Sequence, residues 1–444
     1  MKLKSLLPVV ALTAAGCASL PPSQLPPEYT PAPAAGVLWE SIEQARPRDW
    51  LMLLNDGPAA LDWRLAAIDS ATESIELQTF LWTLDAAGSM VLDHLLSAAN
   101  RGVSVRLLID DTFLLGGDSM PLALHRHTNI QYRVFNPYKR RLDGFASRAL
   151  LNLAEFDRLD HRMHNKAMIV DNRIAIIGGR NLADEYFGLH GEANFRKMEV
   201  LIGGPLMLQV SASFDRYWND RWSVPIGALS HLNPEAAELD TVYRMSQRHA
   251  NLHAELDPLA LAVRSQGATE GAMDGRAGAR GGRVRILNNS IRSNKHLAAH
   301  SAYRNHIAGL VGRGTELHEM RADARGRSSY MLGPVDDKVL GPHAKVLLID
   351  DEKVFIGSAN LDPRSLRINT EMGLLVESRD FNARIQAAVG ADLHPANAWQ
   401  LLPDGRGGIV WVSEDETRAT QPSASFMQDL EDWFFALLPI EGEL

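Results

Sequence analysis

His164-Asn165-Lys166-Ala167-Met168-Ile169-Val170-Asp171 returns later in the chain as His343-Ala344-Lys345-Val346-Leu347-Leu348-Ile349-Asp350. Each residue of the second octet lies 179 positions after its counterpart (164 to 343, 171 to 350). At the same offset Gly178-Gly179-Arg180-Asn181 meets Gly357-Ser358-Ala359-Asn360. A match that runs without a gap through two separated segments marks an internal duplication, two copies of one unit. Within each octet His and Lys stand two apart at the start of an apolar run, so both side chains leave the same face of a strand. A second strand then leads to small residues and an Asn, where backbone N–H groups and an amide can approach an anion.

Two His and two Lys brought together suit phosphodiester chemistry. Cleaving a phosphodiester requires cations on the non-bridging oxygens, a nucleophile, and an acid for the leaving alcohol. Lys166 and Lys345 supply charge-assisted donors, with Asn181, Asn360, Gly179 and Ser358 completing the phosphate site. One of His164 and His343 attacks and the other protonates the leaving group. A catalytic His also needs a partner for its other ring nitrogen. Glu371, on the apolar strand that follows the second octet, and Glu199, which opens the corresponding strand of the first half, are assigned as the orienting carboxylates. Each could instead be a surface glutamate at a strand end. Asp171 and Asp350 complete the repeated motif and read as ion-pair or turn residues where each strand ends. His161, His190 and His300 read as ordinary polar residues. No Cys/His/Asp cluster has metal-ligand spacing and no Gly-rich nucleotide loop occurs, so neither a metal nor a nucleotide cofactor is expected.

Outward from the octets the pattern is α/β. Leu61, Leu65 and Ile68 mark a helix, Ser74 to Leu81 alternates like a strand, Met90 to Ala99 is helical, and Val103 to Ile109 is a near-continuous apolar strand. Amphipathic helices follow at Leu206 to Trp222 and His296 to Gly312, the latter leading into a strand at Thr315 to Arg321. Tyr132 to Arg148 carries five basic residues against Asp143, interleaved with aromatics, and reads equally as a face for anionic headgroups or as a solvated loop. Gln266 to Gly282 is Gly-rich.

A chain of 444 residues with 45% hydrophobic and 22% charged residues is a folded protein long enough for two domains. Its formal net charge of -9 argues against generic binding to nucleic acid. Met1-Lys2-Leu3-Lys4, an apolar run from Leu6 to Ala15, and Gly16-Cys17 have the layout of a secretory signal. Ala14-Ala15-Gly16-Cys17 resembles the lipobox of bacterial lipoproteins, although Ala14 stands where that pattern usually has Leu. Cys17, the only cysteine, would then be lipidated, anchoring the protein in the cell envelope facing the periplasm. An ordinary cleavage site is the alternative. The Pro-rich stretch after Cys17 reads as an extended tether. The expected organisation is a signal peptide over 1–17, a tether over 18–49, a first domain over 50–230, a helical and Gly-rich connector over 231–282, and a second domain over 283–444.

These octets resemble the repeated motif of the phospholipase D superfamily. The runs Leu77 to Trp82, Ala98 to Asp111, His161 to Phe187 and His343 to Gly373 resemble its bacterial cardiolipin synthase branch, in particular the C-type synthases. The resemblance covers most of the chain from about Trp50 onward. It implies two α/β domains related by a pseudo-twofold axis, each with a mixed, mostly parallel sheet flanked by helices and the active site between them. It also implies transphosphatidylation through a phosphohistidine, with His164 as nucleophile and His343 as acid/base. Cardiolipin would form from membrane phospholipids, phosphatidylglycerol first and phosphatidylethanolamine as a second candidate. Hydrolysis by the same site and a non-catalytic lipid-binding lipoprotein are the alternatives. One departure stands out: where the family opens its second half with an apolar strand, this chain offers only Leu259 to Val263 and the Gly-rich run. The second domain is therefore expected to be truncated at one sheet edge.

Overall fold

Strands that are apolar along nearly their whole length must be covered on both faces, and the first half is built that way. In the computed structural model, residues 20–114, 117–141, 151–229, 236–247, 269–270, 284–294 and 297–436 are described. Its large sheet contains β1 (Trp50–Leu54), β2 (Ser74–Thr79), β3 (Ser104–Asp110), β4 (Ile130–Phe135), β5 (Ala167–Val170), β6 (Ile174–Gly178), β8 (Glu199–Gly203), β9 (Ser223–Pro225) and β10 (Thr269–Glu270). The order is β10-β1-β8-β6-β5-β2-β3-β4-β9. The sheet is mixed, as expected: β2 runs parallel to β3 and β3 to β4, while the other neighbours are antiparallel.

Helices Gly57–Asp69 and Ala86–Asn100 begin where Asp56 and Asp85 accept hydrogen bonds from the backbone N–H groups of Ala59 and Gly88. They bury Leu61, Leu65, Met90 and Leu95 against Ile75, Leu77, Val105 and Leu107 of the sheet. The opposite face packs Leu108, Ile169, Ile177 and Val200 with Phe214 and Trp218, and this core continues into Val354, Ile356, Val376 and Phe381 of the second half. The two halves therefore share one apolar core.

The second half repeats part of this plan. β14 (Val346–Ile349), β15 (Lys353–Gly357) and β16 (Gly373–Glu377) form an antiparallel sheet that copies β5, β6 and β8. β11 (Arg285–Asn289) pairs parallel with β12 (Glu316–Met320), which pairs antiparallel with β17 (Ala398–Pro403), as β3, β4 and β9 do. In the first half β2 joins β3 to β5. Among the described residues no strand joins β11 to β14. The element not found among the described residues is thus the counterpart of an internal strand, β2, not of a sheet edge. The consequence is visible in burial: β5 is buried throughout, whereas Leu347 of β14 is 44% exposed.

Two expectations change. The Pro-rich stretch has no helix or strand over residues 20–35, but it is strapped to the first domain rather than free. Thr30 donates its N–H and hydroxyl to Asp215, Trp218 Nε1 donates to Glu28, and Trp39 and Ile42 of the helix Val37–Ala45 are buried. The basic segment is not a uniform surface either. Arg133 is buried in β4 over the Trp218 ring and Arg141 is held by Asp111 and Asp118, leaving Lys139 and Arg140 exposed; residues 142–150 lie outside the described residues. So do Cys17 and most of the 231–282 connector, in which the helix Ala236–Ser246 is described.

Candidate active site

The site forms where each half lends a short parallel clasp to the other. Met163 bridges Thr370, and His164 N–H donates to the Thr370 carbonyl at 3.0 Å. On the other side β13 (Val339–Pro342) pairs with β7 (Ala193–Arg196), and His343 N–H donates to the Arg196 carbonyl at 2.9 Å. The clasps are equivalent, since Met163 and Pro342 are 179 positions apart and pair with Thr370 and Arg196. Each histidine is thereby fixed by the strand that precedes the opposite half's orienting position.

At the first half-site, His164 Nδ1 lies 2.9 and 3.0 Å from the two carboxylate oxygens of Glu371. The expected orienting role of Glu371 thus falls on the histidine of the other half. Burial pushes the Glu371 carboxyl above its ordinary range, against hydrogen bonding from Ser358 and the charge of Lys166. Ser358, expected to touch phosphate, donates its hydroxyl to Glu371 and takes an N–H from Met372, so its side chain serves the carboxylate instead. His164 itself is held well below the usual imidazole range by burial and then by Lys166, Lys345 and Lys197. Phe80 stands edge-on to the His164 ring at 5.1 Å and under the Lys166 ammonium at 5.3 Å.

Lys166 and Lys345 turn back onto the carbonyls of His164 and His343, the same geometry twice. Both are buried, which lowers Lys166 well below the ordinary lysine range and Lys345 to about 8. Gly179 lies against the side chains of Lys197 and Lys345. A Cβ on Gly179 would lie 3.4 Å from Lys197 Nζ, 3.5 Å from the Gly357 carbonyl and 3.6 Å from Lys345 Cδ. Asn181 is buried, with Nδ2 2.9 Å from the Tyr186 hydroxyl and Oδ1 unpaired among the described residues. Asn360 is half-buried at the equivalent position.

The second half-site departs from the first. Glu199 does not meet an imidazole: it is fully buried between Arg64, at 2.7 Å from each oxygen, and Arg180. Burial raises its carboxyl, but the two arginines outweigh this and hold it below the usual range. The register explains the difference. Gly178 pairs with Glu199 and Gly357 with Gly373, so Glu199 corresponds to Gly373, and the counterpart of Glu371 is Lys197. The equivalent clasps give the same answer, because Arg196 and Thr370 immediately precede these residues. Lys197 Nζ indeed contacts His343 Nδ1 and donates to the Gly179 carbonyl at 2.7 Å. Sequence reasoning passed over Lys197; its place two residues ahead of a strand, like that of Glu371, was the available signal.

Asp171 and Asp350 both turn the chain with positive φ, 53° and 50°, at the hairpins β5–β6 and β14–β15. Asp171 accepts from Trp39 Nε1, from the N–H groups of Thr72, Glu73 and Ser74, and from the Thr72 hydroxyl, while Asp350 is exposed. Neither reaches the lysine cluster; they are turn residues.

A duplicated His and Lys pair meeting between two copies of one α/β unit is the arrangement of phospholipase D-like proteins. The family profile described as "Cardiolipin synthase, PLD-like domain" matches residues 65–218 and 272–393, and the chain belongs to this family. It is 30% identical to cardiolipin synthase C of Escherichia coli (strain K12), over 86% of this chain and 93% of that protein. It is 29% identical to an uncharacterized protein of Helicobacter pylori (strain ATCC 700392 / 26695), over 97% of each chain. Among solved structures, phosphatidylserine synthase of Haemophilus influenzae Rd KW20 superposes with a TM-score of 0.51 at 12% identity, covering 82% of this chain and 92% of that one, which shows a common fold.

Proposed function

We propose that the protein is a phospholipase D-type phosphatidyltransferase that passes a phosphatidyl group through His164 to the hydroxyl of a second lipid, with cardiolipin as product. The observation that carries this reading is the Glu371 carboxylate on His164 Nδ1, set beside the buried amines of Lys166, Lys345 and Lys197. A carboxylate on Nδ1 keeps the ring proton there and presents the Nε2 lone pair to phosphorus. Lys166 and Lys345 take up the charge on the non-bridging oxygens, and phosphate binding in turn relieves the cost of burying these amines together.

A lipid substrate fits the approach to the site. Phe113, 43% exposed, stacks edge-on against Phe80, which stacks on His164; Leu361, 85% exposed, follows Asn360 directly. Apolar side chains standing in solvent beside a phosphate site suit acyl chains entering behind a headgroup. Family membership supports the same substrate class. Phosphatidylglycerol is the proposed donor and acceptor, with phosphatidylethanolamine as second candidate. Among the described residues no helix is long and apolar enough to cross a membrane. Attachment to the envelope through a lipid on Cys17, facing the periplasm, is part of the proposal.

The test is product analysis by mass spectrometry. Full-length protein is given labelled phosphatidylglycerol, with and without phosphatidylethanolamine, as wild type and as His164→Ala. Labelled cardiolipin from the wild type and none from the variant is expected. Phosphatidic acid as the main product would make the enzyme a hydrolase, and no turnover would favour a lipid-binding role.

A further inference from the structure

The two histidines have opposite partners: a carboxylate on His164, an amine on His343. Both partners occupy the same place in the duplicated fold, two residues before β16 and β8. We propose that Lys197 is the proton partner of His343, so that the second half-site works as a lysine–histidine relay where the first works as a glutamate–histidine pair. The proposal rests on the phosphodiester reading above.

An ammonium can only donate, so a charged Lys197 beside Nδ1 requires that nitrogen to be bare and the ring proton to sit on Nε2. That tautomer points its N–H at the leaving group. In the first step the His164 Nε2 lone pair forms the bond to phosphorus and the bond to the leaving oxygen breaks, its electron pair staying on that oxygen. His343 gives its Nε2 proton to the oxygen while Lys197 gives one to Nδ1. The alcohol leaves neutral, Lys197 is an amine, and His343 carries its proton on Nδ1. In the second step the acceptor hydroxyl loses its proton to the bare Nε2 and attacks phosphorus. The P–N pair returns to His164, and the Nδ1 proton returns to Lys197. No oxidant or further reactant is needed.

The surroundings favour such an exchange. Lys197 is buried, and burial followed by Lys345, Lys166 and Arg180 presses it well below the ordinary lysine range, opposed by Glu199. A lysine so lowered gives up its proton readily. It has no carboxylate to itself, since Glu199 is held by Arg64 and Arg180. Among the described residues it also meets the Gly179 carbonyl and the rings of Tyr186 and Phe195, the same two rings that flank His343. The ring pair and the Arg196 carbonyl fix the imidazole while protons move.

Lys197 acts through His343, so it is a positioning residue, and the test must separate proton transfer from packing. Wild type and Lys197→Met are compared on a phospholipid, whose alkoxide leaving group needs an acid, and on a p-nitrophenyl phosphodiester, whose leaving group does not. General acid catalysis contributes roughly 100-fold or more, so the ratio of phospholipid to p-nitrophenyl rate should fall about 100-fold in the variant. The wild-type phospholipid rate should fall as pH rises through the titration of the pair, and the variant should lose that limb. Equal losses on both substrates, or an unchanged pH profile, would overturn the proposal. If the wild type cleaves neither diester, the phosphodiester reading fails, and the pair is judged by 15N NMR of histidine-labelled protein. His343, assigned by its loss in His343→Gln, should carry its proton on Nε2 at neutral pH and move it to Nδ1 as the lysine deprotonates. A His343 signal indifferent to Lys197→Met would then sink it.

Discussion

Glu371→Gln keeps the size of the side chain and removes one charge from beside His164. In the wild type both carboxylate oxygens lie within 3.0 Å of Nδ1, and the positive charge that develops on the ring when His164 takes up phosphorus falls on that contact. Hydrogen bonds to charged groups contribute about 1.5–3 kcal/mol. Each ~1.4 kcal/mol is tenfold in rate, so kcat should drop roughly 10- to 150-fold. KM should move little, because the lysines and not Glu371 hold the phosphate. The fold should hardly notice, since burial already pushes this carboxyl upward and disfavours its charge. The assay is steady-state transfer from phosphatidylglycerol, with melting followed in parallel, where a shift within about 1 °C corresponds to no more than about 1 kcal/mol at this chain length. A kcat within threefold of wild type, or a loss explained by unfolding, would refute the reasoning.

Glu199→Gln should do the reverse. It leaves Arg64 and Arg180 buried around a neutral group, and breaking such a pair costs about 3–5 kcal/mol, read as a lower urea midpoint. Because the folded carboxyl lies below its unfolded value of 4.5, its contribution is complete above pH 4.5 and fades as pH falls through the lower folded value; the gap between wild type and variant should narrow there. Asp171→Ala strands five donors and should cost about 3 kcal/mol or more in unfolding free energy, whereas Asp350→Ala, at an exposed turn, should stay within roughly 0.5 kcal/mol. Gly179→Val places methyl groups among Lys197, Lys345 and the Gly357 carbonyl; displacing an amine by about 1 Å should lower kcat about 100-fold while circular dichroism stays native.

The duplication was legible because it is written in contiguous residues. His164, Lys166, His343 and Lys345 could be read from one octet and its repeat, and the mixed sheet from the apolar runs around them. Partners were harder, because they come from the opposite half and obey strand register rather than sequence offset. Glu199 looked like the counterpart of Glu371 since both stand at the head of an apolar strand. A two-residue shift keeps a side chain on the same face, so alternation alone could not tell Glu199 from Lys197. Only the pairing of Gly178 with Glu199 and Gly357 with Gly373 separates them. The docking of the Pro-rich stretch was hidden for a related reason: it depends on Asp215, Trp218 and Arg106, which are far away in sequence.

The central claim is that one site, assembled from both halves, carries the phosphatidyl group on His164. Its most direct test is to incubate His343→Ala with the p-nitrophenyl ester of phosphatidic acid, whose leaving group needs no acid, quench, and map the bound mass by peptide mass spectrometry under conditions that preserve phosphoramidates. The account predicts a phosphatidyl adduct on His164 that accumulates for want of the base that activates the acceptor. An adduct elsewhere, or none while the wild type forms cardiolipin, would contradict it.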